Sequence, residues 1–282
     1  MQLISQNYGK QRVRVLKVLR QGARHEVKEL TVGVRLEGDF AAAYTAGDNR
    51  NVVATDTMKN TVQALAHRHL TAQTEPFALL LARHFLDSFA HVTRVTVDTR
   101  ERRWSRLEVG GRPHDHAFTG DGAHPVTRLV AARGAAPELE SGLEDLLIMK
   151  STASGFSGFP RDAFTTLPET DDRILATDLQ ARWRWAPEPA AGFDFNAANG
   201  AVLDALLTAF ASAFSPSVQT TLYQMAEAAF AAEPTIDRVR LSLPNKHYLL
   251  LNLKPFGHDN PNVTFLPTDE PHGQIEAVID RK

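Results

Sequence analysis

The hydrophobic pattern of this chain switches period, from two residues to about 3.6 and back, and it does so twice. Leu30, Val32, Val34 and Leu36 alternate with Glu29, Thr31, Gly33 and Arg35, which defines a half-buried strand over Val27 to Leu36. Val13, Val15, Val18 and Leu19 supply a partner strand, joined to it by a hairpin around Gly22, and because the alternation slips at Leu16 a bulge is expected there. From Thr55 the spacing turns helical: Met58, Val62, Leu65 and Ala66 share a face, with Thr55, Asp56 and Thr57 available as caps. A second helix starts near Pro76 on the stripe Phe77, Leu80, Leu81, His84, Phe85 and Phe89. Strand character returns at His91 to Thr99 and at Trp104 to Val109, which Gly110 and Gly111 end.

The second half predicts the same order. Leu143 to Lys150 and Ile174 to Trp185 are strand-like, separated by the polar segment Ser151 to Asp172, rich in Gly, Pro and Thr and long enough to be a functional loop. Leu203, Leu206, Leu207, Phe210 and Phe214 mark a helix; Ser215 before Pro216 reads as the cap of the next, which Val218, Leu222, Met225, Ala226 and Ala229 continue. Val239, Leu241 and Leu243, then Leu249, Leu251 and Leu253, close this half with two strands about the turn-prone Pro244 and Asn245. The expected fold is therefore α+β: two tandem ββααββ repeats, residues 1–135 and 136–282, each an antiparallel sheet with its paired helices on one face. Such a sheet has two free edges, so closure is expected from other chains, with sheets joined into a barrel-like oligomer.

Composition narrows the function classes. With 31 Lys and Arg against 33 Asp and Glu, the balance argues against a dedicated nucleic-acid binder, whose affinity draws on an excess of cations. The absence of cysteine removes disulfides, thiolate nucleophiles and iron–sulfur ligation, and leaves open metal sites built from His and carboxylate. Met1 to Arg20 hold no continuous apolar stretch and turn basic from Lys10 on, and no segment is apolar for long enough to span a bilayer, so a cytoplasmic protein without membrane partners is expected. No glycine-rich nucleotide fingerprint follows a strand.

Several short segments are similar to the signatures of one family. Asn7-Tyr8-Gly9-Lys10, Ala54-Thr55-Asp56-Thr57-Met58-Lys59-Asn60-Thr61 and Leu243-Pro244-Asn245-Lys246-His247-Tyr248 resemble those of urate oxidases (uricases). The loop Phe156-Ser157-Gly158-Phe159-Pro160-Arg161-Asp162, Asp172-Arg173-Ile174 and the helix start Ser217-Val218-Gln219 agree in the right order. The resemblance implies a tunnelling fold in a homotetramer around a central channel. It also implies oxidation of urate by O2 and water to 5-hydroxyisourate and hydrogen peroxide, without metal or organic cofactor, at sites between subunits. Residues from the two halves of one chain would then serve different sites.

The same resemblance assigns roles. Lys10 and Thr55 form a proton relay, for which a lysine held away from water beside a hydroxyl is suited. His247 supports that network, and Asn245 pairs with Thr55 to hold O2, and later water, above the ring. Phe156 stacks on the purine, while the Arg173 fork and the Gln219 amide grip its edges. Backbone N–H groups of Asp56 and Val218 face the anion from two helix starts, which carry partial positive charge. Taken without the resemblance, Lys10 reads as a surface lysine, Thr55 and Asp56 as caps, and Asn245 as a turn residue.

Other candidates carry less. His114 and His116 lie on one side of a strand-like segment without a defined third ligand, and read as surface or packing histidines. Arg100, Arg102, Arg103 and Arg106 around Trp104 read as a solvated face or subunit contact. The rivals to a urate oxidase are a non-catalytic purine-binding oligomer and a related enzyme acting on another purine or on a pterin. Lys10 with Thr55 separates them, since a binding module needs the planar clamp but not the relay.

Overall fold

In the computed structural model, residues 1–120, 122–186, 189 and 192–282 are described. They form two compact units, Met1–Leu143 with Trp183–Asn199, and Glu144–Arg182 with Gly200–Lys282.

In the first unit, β1 (Tyr8–Gln21) turns at Gly22 (φ +63°) into β2 (Arg24–Gly38), as the sequence predicts. After the short α1 (Ala41–Thr45) come α2 (Thr55–His69) and α3 (Glu75–Ser88). β3 (Val92–Arg102) then pairs antiparallel with β2. Leu30, Val32, Val34 and Leu36 are fully buried, as are Val95, Val97, Met58, Val62, Leu81 and Phe85. The alternation of β2 therefore does place one face of the sheet beneath the helices, each buried aliphatic or aromatic side chain contributing roughly 1.5–3 kcal/mol.

The bulge sits elsewhere than expected. The register shifts between Lys10 and Val13, where Arg12 has φ +59°, and runs evenly through Leu16. Leu16 is simply exposed, and Lys17 takes the core-facing slot, its ammonium donating to the Ala66 carbonyl in the last turn of α2 at 3.2 Å. A lysine stem can cover apolar surface while its head bonds a helix-end carbonyl, which the apolar alternation cannot register.

The fourth strand is also different. Trp104–Val109 (β4) pairs not with the main sheet but with β5 (Arg112–Gly120) in a separate hairpin, and β6 (His124–Ala132) is the strand that joins β3. Most of β4 is exposed, so its residues lack the buried face that sheet membership requires. Arg106 ties this hairpin down, donating to the carbonyls of His114 (2.8 Å) and Asp115 (2.6 Å) and to that of His25 on β2 (2.6 Å). The rings of His114 and His116 lie 4.6 Å apart, and no metal-holding group of three or more His, Asp or Glu exists among the described residues.

The second unit repeats the plan. It contains the end of β7 (Glu138–Lys150), most of β8 (Leu175–Trp185) and of α4 (Phe195–Ser212), and α5 (Val218–Ala232) and β9 (Ile236–Ser242). Beyond the sequence reading lie two further strands, β11 (Phe265–Gly273) and β12 (Glu276–Asp280). The expected β9–β10 hairpin is absent: β10 (Asn245–Leu250) pairs with β11 and with β8, while β9 pairs with β12. A hairpin between β9 and β12 thus matches the hairpin between β3 and β6, and the element order of the two halves agrees more closely than ββααββ alone states. The exposed, charged tail residues of β12 gave no apolar alternation long enough to reveal it.

A buried carboxylate organises the first unit. Glu75, the first residue of α3 and 3% exposed, accepts from Ser141 Oγ at 2.6 Å and from Asn199 Nδ2 at 2.8 Å. Trp185 Nε1 donates to that serine and Trp183 Nε1 to the Asn199 amide oxygen, both at 2.9 Å. The helix start favours the negative charge. Glu75→Ala leaves these donors unsatisfied and is expected to lower unfolding free energy by about 2–4 kcal/mol in urea titrations. Glu75→Gln, whose amide oxygen can still accept from both, is expected to cost less than half of that.

Candidate active site

The bulge after Lys10 decides where this lysine points. Lys10 pairs with Val34 and Val13 with Val32, and both valines are fully buried on the helix-facing side. Three residues of β1 thus span what two span on β2, so Lys10 shares the face of Val13 instead of alternating away from it. Gly9 permits the approach: a Cβ there would overlap the Val34 carbonyl oxygen. Lys10 is half-buried at the end of β1 nearest the start of α2.

At that helix start the cap position belongs to Ala54, not to Thr55, Asp56 or Thr57, and no side chain caps it. The first intrahelical bond runs from Met58 N to Ala54 O, so the backbone N–H groups of Thr55, Asp56 and Thr57 have no acceptor within the helix. Thr55 is exposed, and its hydroxyl has no intrachain partner among the described residues. Asp56 folds back along the helix to Lys59 and to Asn60 Nδ2 (3.0 Å). The hydrogen bond and charge of Lys59, then Asn60 and the charge of Lys10, hold its carboxyl below the usual carboxylate range. Lys10 is therefore within electrostatic reach of Asp56, the second residue of this uncapped helix.

The remaining candidates all lie in the second unit. Phe156 is half-buried and held by paired backbone bonds with Thr170 (2.7 and 3.1 Å); its ring stacks on Phe159 with centroids 4.9 Å apart, and Arg173 Cζ lies 5.4 Å from its centre. Burial lowers the pKa of the Arg173 guanidinium, whose Nε donates to Ser154 Oγ at 3.3 Å. Ser154 and Ser215, both fully buried, stitch the loop to the start of α5 through Gly155 N to Ser215 O (2.8 Å) and Ser215 N to Ala153 O (2.9 Å).

Ser217, not Ser215, caps α5, its Oγ accepting from Thr220 N at 3.1 Å. Ser215 instead turns inward to Thr221 Oγ1 at 2.5 Å. The cap occupies the third amide of the helix and leaves those of Val218 and Gln219 without helical acceptors. Val218 is buried and Gln219 exposed. Asn245 begins β10 opposite Thr177 of β8 and Gly273 of β11, and His247 follows opposite Thr268, whose hydroxyl donates to the His247 carbonyl at 3.0 Å.

The sequence reading missed the residues that hold these side chains. Besides Ser154, Ser215 and Thr221, Asp172 accepts from Thr152 Oγ1 at 2.8 Å and from Asn262 Nδ2 at 3.0 Å, which joins the loop before Arg173 to the segment after β10. The only signal was a concentration of Ser, Thr, Asp and Asn in segments otherwise read as loop.

Antiparallel sheet strands with a pair of consecutive helices, in the same order in each half of the chain, define a protein of the tunnelling fold. A solved structure of Bacillus sp. TB-90 urate oxidase shares that fold at a TM-score of 0.84 and 21% identity, over 98% of this chain and 100% of that one. The crystal structure of uricase from Arthrobacter globiformis matches at a TM-score of 0.93 and 45% identity, over 100% of this chain and 96% of that one. In sequence, the uricase of that organism is 47% identical over 99% of this chain and 90% of its own length. The rabbit protein, uricase of Oryctolagus cuniculus, is 39% identical over 100% of this chain and 95% of its own. The family model described as uricase matches residues 6–130 and 139–276. The chain belongs to the uricase family.

The close approach at Gly9 is a point of structural sensitivity. Gly9→Ala must part β1 from β2 beside Lys10 and is expected to destabilise the protein by about 1–3 kcal/mol, read from chemical unfolding.

Proposed function

We propose that the chain is a urate oxidase, converting urate, O2 and water to 5-hydroxyisourate and hydrogen peroxide. Two electrons leave the purine for O2, and water supplies the new hydroxyl oxygen. The observation that carries this reading is the bulge that turns Lys10 to the helix side of β1, within electrostatic reach of Asp56 at the uncapped start of α2, where the Thr55 hydroxyl has no partner among the described residues. A purine-binding module has no use for that lysine and hydroxyl. In the proposed scheme Lys10 takes a proton from urate through Thr55, leaving an electron-rich anion able to reduce O2.

Phe156 stacks on the ring in this scheme, and Arg173 and Gln219 hold its edges. The amides of Asp56 and Val218 face its anionic rim, where helix-start N–H groups stabilise negative charge. Asn245 pairs with Thr55 to hold O2 and then water above the ring, and His247 supports the proton network. The two groups of residues belong to different compact units of the chain, which suits a homotetramer with sites completed between subunits. We propose the repeat division at residue 135 on the matched hairpins of the two halves, and a cytoplasmic location; no helix among the described residues is long and apolar enough to cross a membrane.

The test follows the ultraviolet absorbance of urate with purified protein in air, with a strong chelator present. Loss of absorbance with release of peroxide is expected; undiminished urate would overturn the reading, and turnover abolished by the chelator would make it a metal enzyme. Lys10→Met or Thr55→Ala is expected to lower kcat by about 10²–10⁴-fold with little change in the affinity of a non-oxidisable urate analogue. Arg173→Ala should instead weaken analogue binding by about 10–100-fold, measured by calorimetry.

A further inference from the structure

The proposed relay draws its lysine from β1 and its hydroxyl from α2, so proton transfer depends on how rigidly the end of one is held against the start of the other. Tyr8 stands at that junction. It pairs with Leu36 and Lys10 pairs with Val34, so both side chains leave β1 on the helix-facing side, in successive positions. The Tyr8 hydroxyl accepts from Val53 N at 2.7 Å and donates to Val53 O at 3.2 Å. Val53 is 5% exposed and lies two residues before Thr55, with only Ala54 between them.

One hydrogen bond would leave the Val53 backbone free to pivot; two bonds from one hydroxyl, one to each side of the residue, fix its orientation. The ring is itself held edge-on against the buried Phe40, with centroids 4.8 Å apart. Burial raises the phenol pKa, so the group keeps the proton it donates throughout the neutral range. The other clasp between the two elements, Lys17 to Ala66 O, lies at the far end of α2 and does little to fix the helix start.

We infer that Tyr8 is a positioning residue for urate oxidation, its hydroxyl setting the placement of Thr55 relative to Lys10 through the Val53 backbone. This inference rests on the urate oxidase reading. Tyr8 does not touch the reacting atoms; it acts through the backbone that carries Thr55. Its removal should therefore slow the proton-dependent step and leave the stacking and edge contacts of Phe156, Arg173 and Gln219 in place.

The test compares wild type, Tyr8→Phe, Lys10→Met and the double variant as intact oligomers, with Tyr44→Phe as a neighbouring control, since the Tyr44 hydroxyl bonds Asn7 O and not Val53. In Tyr8→Phe, kcat is expected to fall by about tenfold or more, as small misplacements of reacting groups do, while the affinity of a non-oxidisable urate analogue stays within about twofold. Because Tyr8 acts through the relay, the same change in the Lys10→Met background should alter kcat by less than about twofold. Tyr44→Phe should retain wild-type kcat. An equal loss in both backgrounds, a loss of analogue affinity matching that of kcat, an unchanged kcat, or failure of Tyr8→Phe to fold would each give the phenol a purely structural role and overturn the inference. Wild-type protein that leaves urate untouched overturns the functional reading, and the inference with it; wild-type turnover with Tyr8→Phe equal to it overturns the inference alone.

Discussion

The extra residue in β1 is the constraint on which the site depends. A strand beneath a helix must alternate, and a strict alternation from Val13 would send Lys10 to the opposite face of the sheet. Inserting one residue at Gln11 and Arg12 keeps the valine ladder under α2 and still delivers a cation to its N-terminus. The insertion carries a conformational cost, a non-glycine residue at φ +59°, of the order of 1 kcal/mol. Burial of the valines and leucines on either side more than offsets it.

The two helix starts solve a related problem in different ways. An α-helix begins with amides that lack internal acceptors, and a protein commonly satisfies one of them with a Ser, Thr, Asp or Asn side chain. At α5 that happens, and Ser217 takes the amide of Thr220. At α2 it does not: the cap position is an alanine, and Asp56 is drawn away to Lys59 and Asn60. An uncapped helix start is a stability loss of about 1 kcal/mol unless another anion fills the place. In the proposed scheme the urate anion is of the right charge to do so.

Much of the architecture was legible because burial writes a period into the chain. β2, with Leu30 to Leu36 alternating over a fully buried face, and the helices α2 and α3 followed directly from spacing. What escaped were elements that bury little. The β4–β5 hairpin and β12 are exposed on most residues, and Lys17 fills a core-side slot with a polar residue, so the expected bulge was misplaced. The proposed site residues rest on resemblance, since a half-buried lysine, an exposed threonine and an exposed glutamine carry no period. Their supports, Ser154, Ser215, Asp172 and Tyr8, belong to hydrogen bonds between residues far apart in the chain, which no local pattern encodes.

The matched hairpins are unequal in what they can tolerate. β3 with β6, and β9 with β12, are already joined to each other, so the hairpin between each pair can lengthen or shorten without disturbing the register of its neighbours. In the second half that freedom is curtailed, because β10 also pairs with β8. In the first half the tip at Gly110 and Gly111 holds none of the proposed site residues, and both glycines face open space. It is the natural point for a fluorophore, an affinity tag or a tether to a surface.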